Sequence, residues 1–217
     1  MKFKIKLLLC CAKTKPYLYY NWTTDTYKTT NSLKDLRGDY GGSRVCSGAD
    51  RLCAYQDNGQ ILTNGHIMVE CDFEVEEIKN KLTNNNSHLE LFTTQLSEEE
   101  LFNKSCLNRY EMFKYLKNNS IKRAPNGYAI NIKNLHIFDE PRELSEYYSI
   151  PKKMNTFDGY DYISASLDKA PKHMMRVCDE KERQYILISI HPQEMCRILN
   201  EEQTTIIKKV VLKEMLK

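Results

Sequence analysis

The chain carries eight cysteines yet has no C-x-x-C pair; they stand at 10, 11, 46, 53, 71, 106, 178 and 196. A zinc knuckle or ribbon needs closely spaced thiolates, so that class is excluded. His66, His88, His136, His173 and His191 lack metal-ligand spacing as well. There is no glycine-rich phosphate loop, because Gly41-Gly42 lacks a strand–loop–helix context. No apolar run approaches the roughly 20 residues of a membrane helix. The run Leu7-Leu8-Leu9-Cys10-Cys11-Ala12 is shorter than a secretory h-region, and no small-x-small site follows it. The expectation is therefore a cytoplasmic protein with reduced cysteines, no metal, no cofactor and no membrane partner. Excess charge of one sign is also scarce: the net value is +3, so any polyanion partner must be met by a local patch.

What is present reads as an α+β chain. Phe3, Ile5, Leu7 and Leu9 alternate with Lys2, Lys4 and Lys6, which predicts a strand over 2–12. Residues 13–60 are polar and rich in turn signals, and read as one long loop that is either functional or partly disordered. Asn58-Gly59 and Asn64-Gly65 flank Gln60-Ile61-Leu62 as turns. Ile67, Val69, Cys71, Phe73 and Val75 alternate with Met68, Glu70, Asp72, Glu74 and Glu76, predicting a strand with one buried and one acidic face.

Ser97 followed by three glutamates marks a helix start. A second helix is expected over 108–117, with Tyr110, Phe113 and Leu116 as its apolar stripe. Short strands are expected over 128–132 and 135–138, a turn at Asp139-Glu140-Pro141, and a helical turn over 142–147. Residues 149–182 read as an irregular connection. A strand over 183–190 precedes a helix opened by Pro192 and buried through Met195, Ile198 and Leu199. Residues 203–217 fit either helix or strand.

Residues 13–51 interleave cations (Lys13, Lys15, Lys28, Lys34, Arg37, Arg44, Arg51) with rings (Tyr17, Tyr19, Tyr20, Trp22, Tyr27, Tyr40). Cations meet phosphates and rings stack on unpaired bases, at about 1–3 kcal/mol per stack. The alternative is that Tyr17, Tyr19 and Trp22 pack a core while the lysines are solvated.

Three pieces in order carry a family resemblance: residues 65–78 after an Asn-Gly turn, Ser105-Cys106-Leu107 at a helix start, and residues 127–144 with their Asp139-Glu140-Pro141-Arg142-Glu143-Leu144 close. Together with residues 9–18, they resemble the ASCH domain, a PUA-like β-barrel with flanking helices, as found in small proteins of Firmicutes-type bacteria and their phages. The resemblance covers roughly 5–18 and 64–148. Residues 185–209 are similar to the strand–helix unit that usually opens such a domain. Two arrangements stay open: a circularly permuted barrel that residues 183–217 complete, or a domain over 1–148 followed by a truncated second copy.

Some ASCH proteins resemble amidohydrolases of acylated cytidine, which implies a lysine, a nearby threonine and a glutamate. At those positions this chain has Gln203 and a residue near Ile206, with Glu111 as the candidate glutamate. Glutamine cannot take up a proton, so the reading is a binder rather than an enzyme. The resemblance also places Tyr128 and Asn131 near the PUA-like cleft, where a ring can stack on a base and an amide can read its edge. The expected ligand is RNA or a nucleotide. The alternatives are a hydrolase of modified nucleosides or RNA, and a phage-encoded protein that interferes with host defence by binding a host protein or nucleotide signal.

Overall fold

A computed structural model describes residues 5–21, 24–32, 60–82, 89–117, 126–149 and 174–216. The chain is α+β, and among the described residues it is mostly strands, with three α-helices. It divides into two compact units, residues 1–70 with 136–200 and residues 71–135 with 201–217. Two long strands, β5 (Ile67–Leu82) and β7 (Gly127–Arg142), contribute residues to both.

In the first unit, β1 (Lys6–Cys11) runs parallel to β10 (Gln184–Ile190), with Leu8 opposite Leu187. β10 pairs antiparallel with β9 (Met175–Asp179), and β9 with β8 (Tyr147–Ser149). Leu7 through Cys11 are all buried, as are Tyr185 through Ile188 and Ile190 in β10. A parallel pair covered on both faces requires this continuous apolar run, so the alternation seen in residues 3–9 does not extend to the strand end. Leu8, Ile67, Tyr147, Val177 and Leu187 form the core on one side.

The segment expected to be a long loop holds two strands, β2 (Tyr17–Asn21) and β3 (Thr26–Thr30). They form an antiparallel sheet with β4 (Gln60–Leu62). Turn residues and lysines masked the β-propensity of its tyrosines and threonines. Helix α3 (Pro192–Leu199) packs on β2 and β3. Pro192 opens it, His191 caps it, and Met195, Ile198 and Leu199 are buried as the pattern predicts.

In the second unit, β6 (Leu89–Phe92) pairs with β5, and β11 (Thr205–Lys208) pairs antiparallel with β7. Helix α1 (Glu98–Ser105) begins at Ser97 with a capping box closed by Glu100. Cys106, expected to open a helix, instead ends α1 with φ 52°. Helix α2 (Arg109–Leu116) follows from its own Asn108 cap. Its buried positions are Met112 and Leu116. Tyr110, expected on the buried stripe, is 72% exposed. At Gly127 an added Cβ would lie 2.5 Å from Leu116 Cδ2 and 2.9 Å from the Lys208 carbonyl oxygen, so only glycine lets α2 and β11 approach β7 this closely.

Three other expectations change. The two short strands over 128–138 are one strand that continues through Asp139-Glu140-Pro141, so no turn forms there. In β5 the buried parity switches between Cys71 and Glu76, so Glu76 is buried rather than on an acidic face. Finally, the mixed sheet is an open path with β8 and β11 at its ends. Among the described residues no pair joins those ends, so the expected β-barrel is not closed. The connection expected to be irregular over 149–182 contains β9 (Met175–Asp179), and its residues 150–173 lie outside the described residues. No helix is long and apolar enough to cross a membrane among the described residues.

Candidate functional site

In the first unit the turn before β5 organises the basic loop. The Asn64 Nδ2 group donates to the carbonyl oxygens of Ala12 (3.3 Å), Thr14 (2.8 Å) and Pro16 (3.1 Å). Its Oδ1 accepts from the Leu18 amide at 2.7 Å. One buried amide thus fixes the whole 12–18 segment, including the cis Lys15–Pro16 bond. Gly65 has φ 92°, a left-handed conformation that favours glycine, and the flexible stem of Lys13 packs where a Cβ would sit. His66 is buried and its Nε2 lies 2.9 Å from Glu143 Oε1.

Next to this turn is a cleft of about 410 Å³ lined by Tyr20, Tyr27, Thr63, Met68, Ile137, Phe138, Asp139 and Pro141. That volume lies in the range of small-ligand sites, about 300–1,000 Å³. Tyr20 and Tyr27 face each other across β2 and β3, with ring centroids 5.0 Å apart and planes at 60°. The Tyr20 hydroxyl donates to Asp25, which raises its pKa. Burial raises that of Tyr27 as well, and its hydroxyl, like any tyrosine's at neutral pH, is protonated and can donate. Helix α3 holds β3 in position: Asn200 Oδ1 accepts from the Tyr27 amide, and Cys196 and Asn200 both donate to the Tyr27 carbonyl. Asp139 is exposed at the rim. The cleft therefore combines apolar and aromatic walls with a phenol donor and a carboxylate acceptor.

The second unit holds a buried polar chain. Glu76 Oε1 accepts from Asn131 Nδ2 at 2.8 Å, and Glu76 Oε2 from the Gln95 amide at 2.8 Å. Asn131 Oδ1 accepts from the Thr205 hydroxyl at 2.9 Å, and Gln203 Nε2 donates to the Thr205 carbonyl at 3.0 Å. These groups satisfy one another, which is what burial demands of them.

The residues singled out by sequence do not converge on one site. Lys13 and Lys15 belong to the Asn64-braced loop, Lys15 being exposed. Tyr17 is half-buried at the start of β2, and Tyr19 is buried. Tyr128 and Asn131 lie on β7 in the second unit, where Tyr128 pairs with Lys208 and Asn131 joins the polar chain. Glu111 is the N3 residue of the α2 capping box, accepting from the Asn108 amide at 3.0 Å. Trp22 and Arg44 lie outside the described residues. Sequence reasoning missed Asn64, Thr63, Asp139 and Glu76. The Asn64-Gly65 turn was visible, but not that its amide would be turned inward upon three carbonyls.

No protein-family model matches this chain, and neither the curated proteins nor the solved structures contain a match to it.

Proposed function

We propose that this protein is a PUA-like module of the ASCH type that binds a nucleotide-type ligand, an unpaired RNA base or a free nucleotide, without catalysing its turnover. The observation that carries the reading is the cleft of about 410 Å³ between the Tyr20–Tyr27 pair and the Ile137–Pro141 stretch of β7. Flat rings and Met68 suit a planar base, and the Tyr27 hydroxyl and Asp139 carboxylate suit its polar edge. The parallel pairing of β1 with β10 supports a permuted arrangement in which the C-terminal strand–helix unit belongs with the opening strand. Binding is favoured over hydrolysis because Gln203 stands at the lysine position and Glu76, Asn131 and Thr205 are committed to each other.

Titration calorimetry with GMP, CMP, UMP and AMP tests this. A carboxylate can accept two parallel N–H bonds from guanine, whereas uracil offers one N–H flanked by two repelling carbonyls. GMP should bind tightest, and Asp139→Asn should remove most of that preference. Absence of binding to every mononucleotide and to single-stranded RNA at low salt would overturn the proposal.

A further inference from the structure

We propose that the solvent face of α2, together with the end of β11 beside it, binds single-stranded nucleic acid. Tyr110, Lys114 and Lys117 are spaced i, i+4, i+7, so they form one stripe, opposite the buried Met112 and Leu116. The stripe is open: Tyr110 is 72% exposed. Tyr115, further round the helix toward Met112, is 41% exposed. Each ring carries an ammonium group. Lys114 Nζ lies 5.7 Å from the Tyr110 centroid, and Lys209 Nζ lies 5.4 Å from that of Tyr115.

The charge on this face is not cancelled. Arg109 is paired with Glu98 at 2.6 Å. Glu111, whose carboxylate accepts from the Asn108 amide and keeps its charge, leaves the three lysines in excess. Lys114, Lys117 and Lys209 form no ion pair among the described residues. Two exposed rings flanked by unpaired cations match a strand that offers phosphates and unstacked bases together. An acidic protein surface would meet the lysines but would offer the Tyr110 ring no base to stack on. The surface lies wholly in the second unit, so the proposal stands whether or not the cleft of the first unit takes a nucleotide.

The test is fluorescence anisotropy with a labelled single-stranded oligouridylate of about 20 nucleotides, long enough for one site, over roughly 50–200 mM salt. Lys114→Glu with Lys117→Glu should weaken binding at least about tenfold at low salt and flatten the salt slope by about two. Tyr110→Ala should weaken it by about 5-fold or more with the slope unchanged. All three positions are exposed, so circular dichroism should show the fold intact, and mononucleotide binding by the double variant should equal that of the parent. No binding by the parent, or unchanged affinity and slope in both variants, would overturn the proposal. Displacement of the oligonucleotide by polyglutamate at equal charge concentration, with Tyr110→Ala silent, would assign the face to acidic proteins and overturn it equally.

Discussion

The side chain of Asn200 mimics a neighbouring strand for Tyr27. Its Oδ1 accepts from the Tyr27 amide at 2.9 Å, and its Nδ2 donates to the Tyr27 carbonyl at 3.0 Å. Asn200 is also the C-cap of α3, so the helix end and the cleft wall are one structure. Asn200→Ala should leave both peptide groups of β3 without this partner and cost about 1–3 kcal/mol. Urea denaturation would measure the loss. GMP affinity should fall as well, because the Tyr27 ring loses its support. Unchanged stability and unchanged affinity in Asn200→Ala would show that α3 does not set the cleft.

Asn64 should be less replaceable still. It donates to three carbonyls and accepts from one amide, with its side chain buried. Asn64→Asp retains the acceptor but directs a carboxylate at three carbonyl oxygens. We expect a loss of at least about 3 kcal/mol, as each buried group left unpaired costs about 1–3 kcal/mol. The same substitution should expose the 12–18 segment to limited proteolysis. A stable, protease-resistant Asn64→Asp would show that the loop is ordered by other contacts.

Both of these residues show where reading the sequence stops. Local signals were legible: Ser97 before acidic residues gave α1, Pro192 gave α3, and the alternation of Phe3, Ile5, Leu7 and Leu9 with lysines gave β1. Helix caps and strand patterns are short-range, so the chain displays them directly. The site was not legible because its groups come from distant segments. Tyr20, Tyr27, Thr63 and Asp139 meet only through the pairing of β2 with β3 and the run of β7. Tyr110 shows a subtler failure. Its i, i+3 relation to Phe113 fits an apolar stripe, but Met112 and Leu116 set the buried face and turn the ring to solvent.

The buried chain in the second unit should respond asymmetrically to isosteric change. Glu76 accepts through both oxygens, from Asn131 and from the Gln95 amide. Glu76→Gln replaces one acceptor with an NH₂ group that must face a donor, and should cost about 1–3 kcal/mol. Thr205→Val removes only the donor to Asn131 Oδ1 and should cost about 1 kcal/mol. Chemical denaturation of the two variants and their double mutant would give the coupling. Strictly additive losses would mean the four groups act independently, not as one network.

The paired thiols of β1 make stability depend on alkaline pH. Burial pushes Cys10 up to about 12 from an ordinary 9.0, the nearby Lys13 charge only partly opposing it. Burial pushes Cys11 higher still. The folded state therefore keeps both thiols protonated while the unfolded chain ionises them near 9. Their contribution is complete below pH 9 and is lost as pH rises through the folded-state values, because the unfolded chain then binds fewer protons. Each fully ionising group should remove about 1.4 kcal/mol per pH unit. Tyr147 and Tyr185, raised to about 12 chiefly by burial, add a slope of the same sign above about pH 10. The window in which cysteines dominate is thus pH 9 to 10, where Cys178, also raised by burial, adds to the slope in parent and variant alike. Urea midpoints of the parent should fall across it, and those of a Cys10→Ala, Cys11→Ala variant should fall less steeply from a lower starting stability. Iodoacetamide at pH 8 should label the half-buried Cys106 and Cys196 in the folded protein while sparing Cys10 and Cys11. Rapid labelling of Cys10 in the native state, or identical pH slopes in parent and variant, would show that β1 opens to solvent far more often than its burial implies.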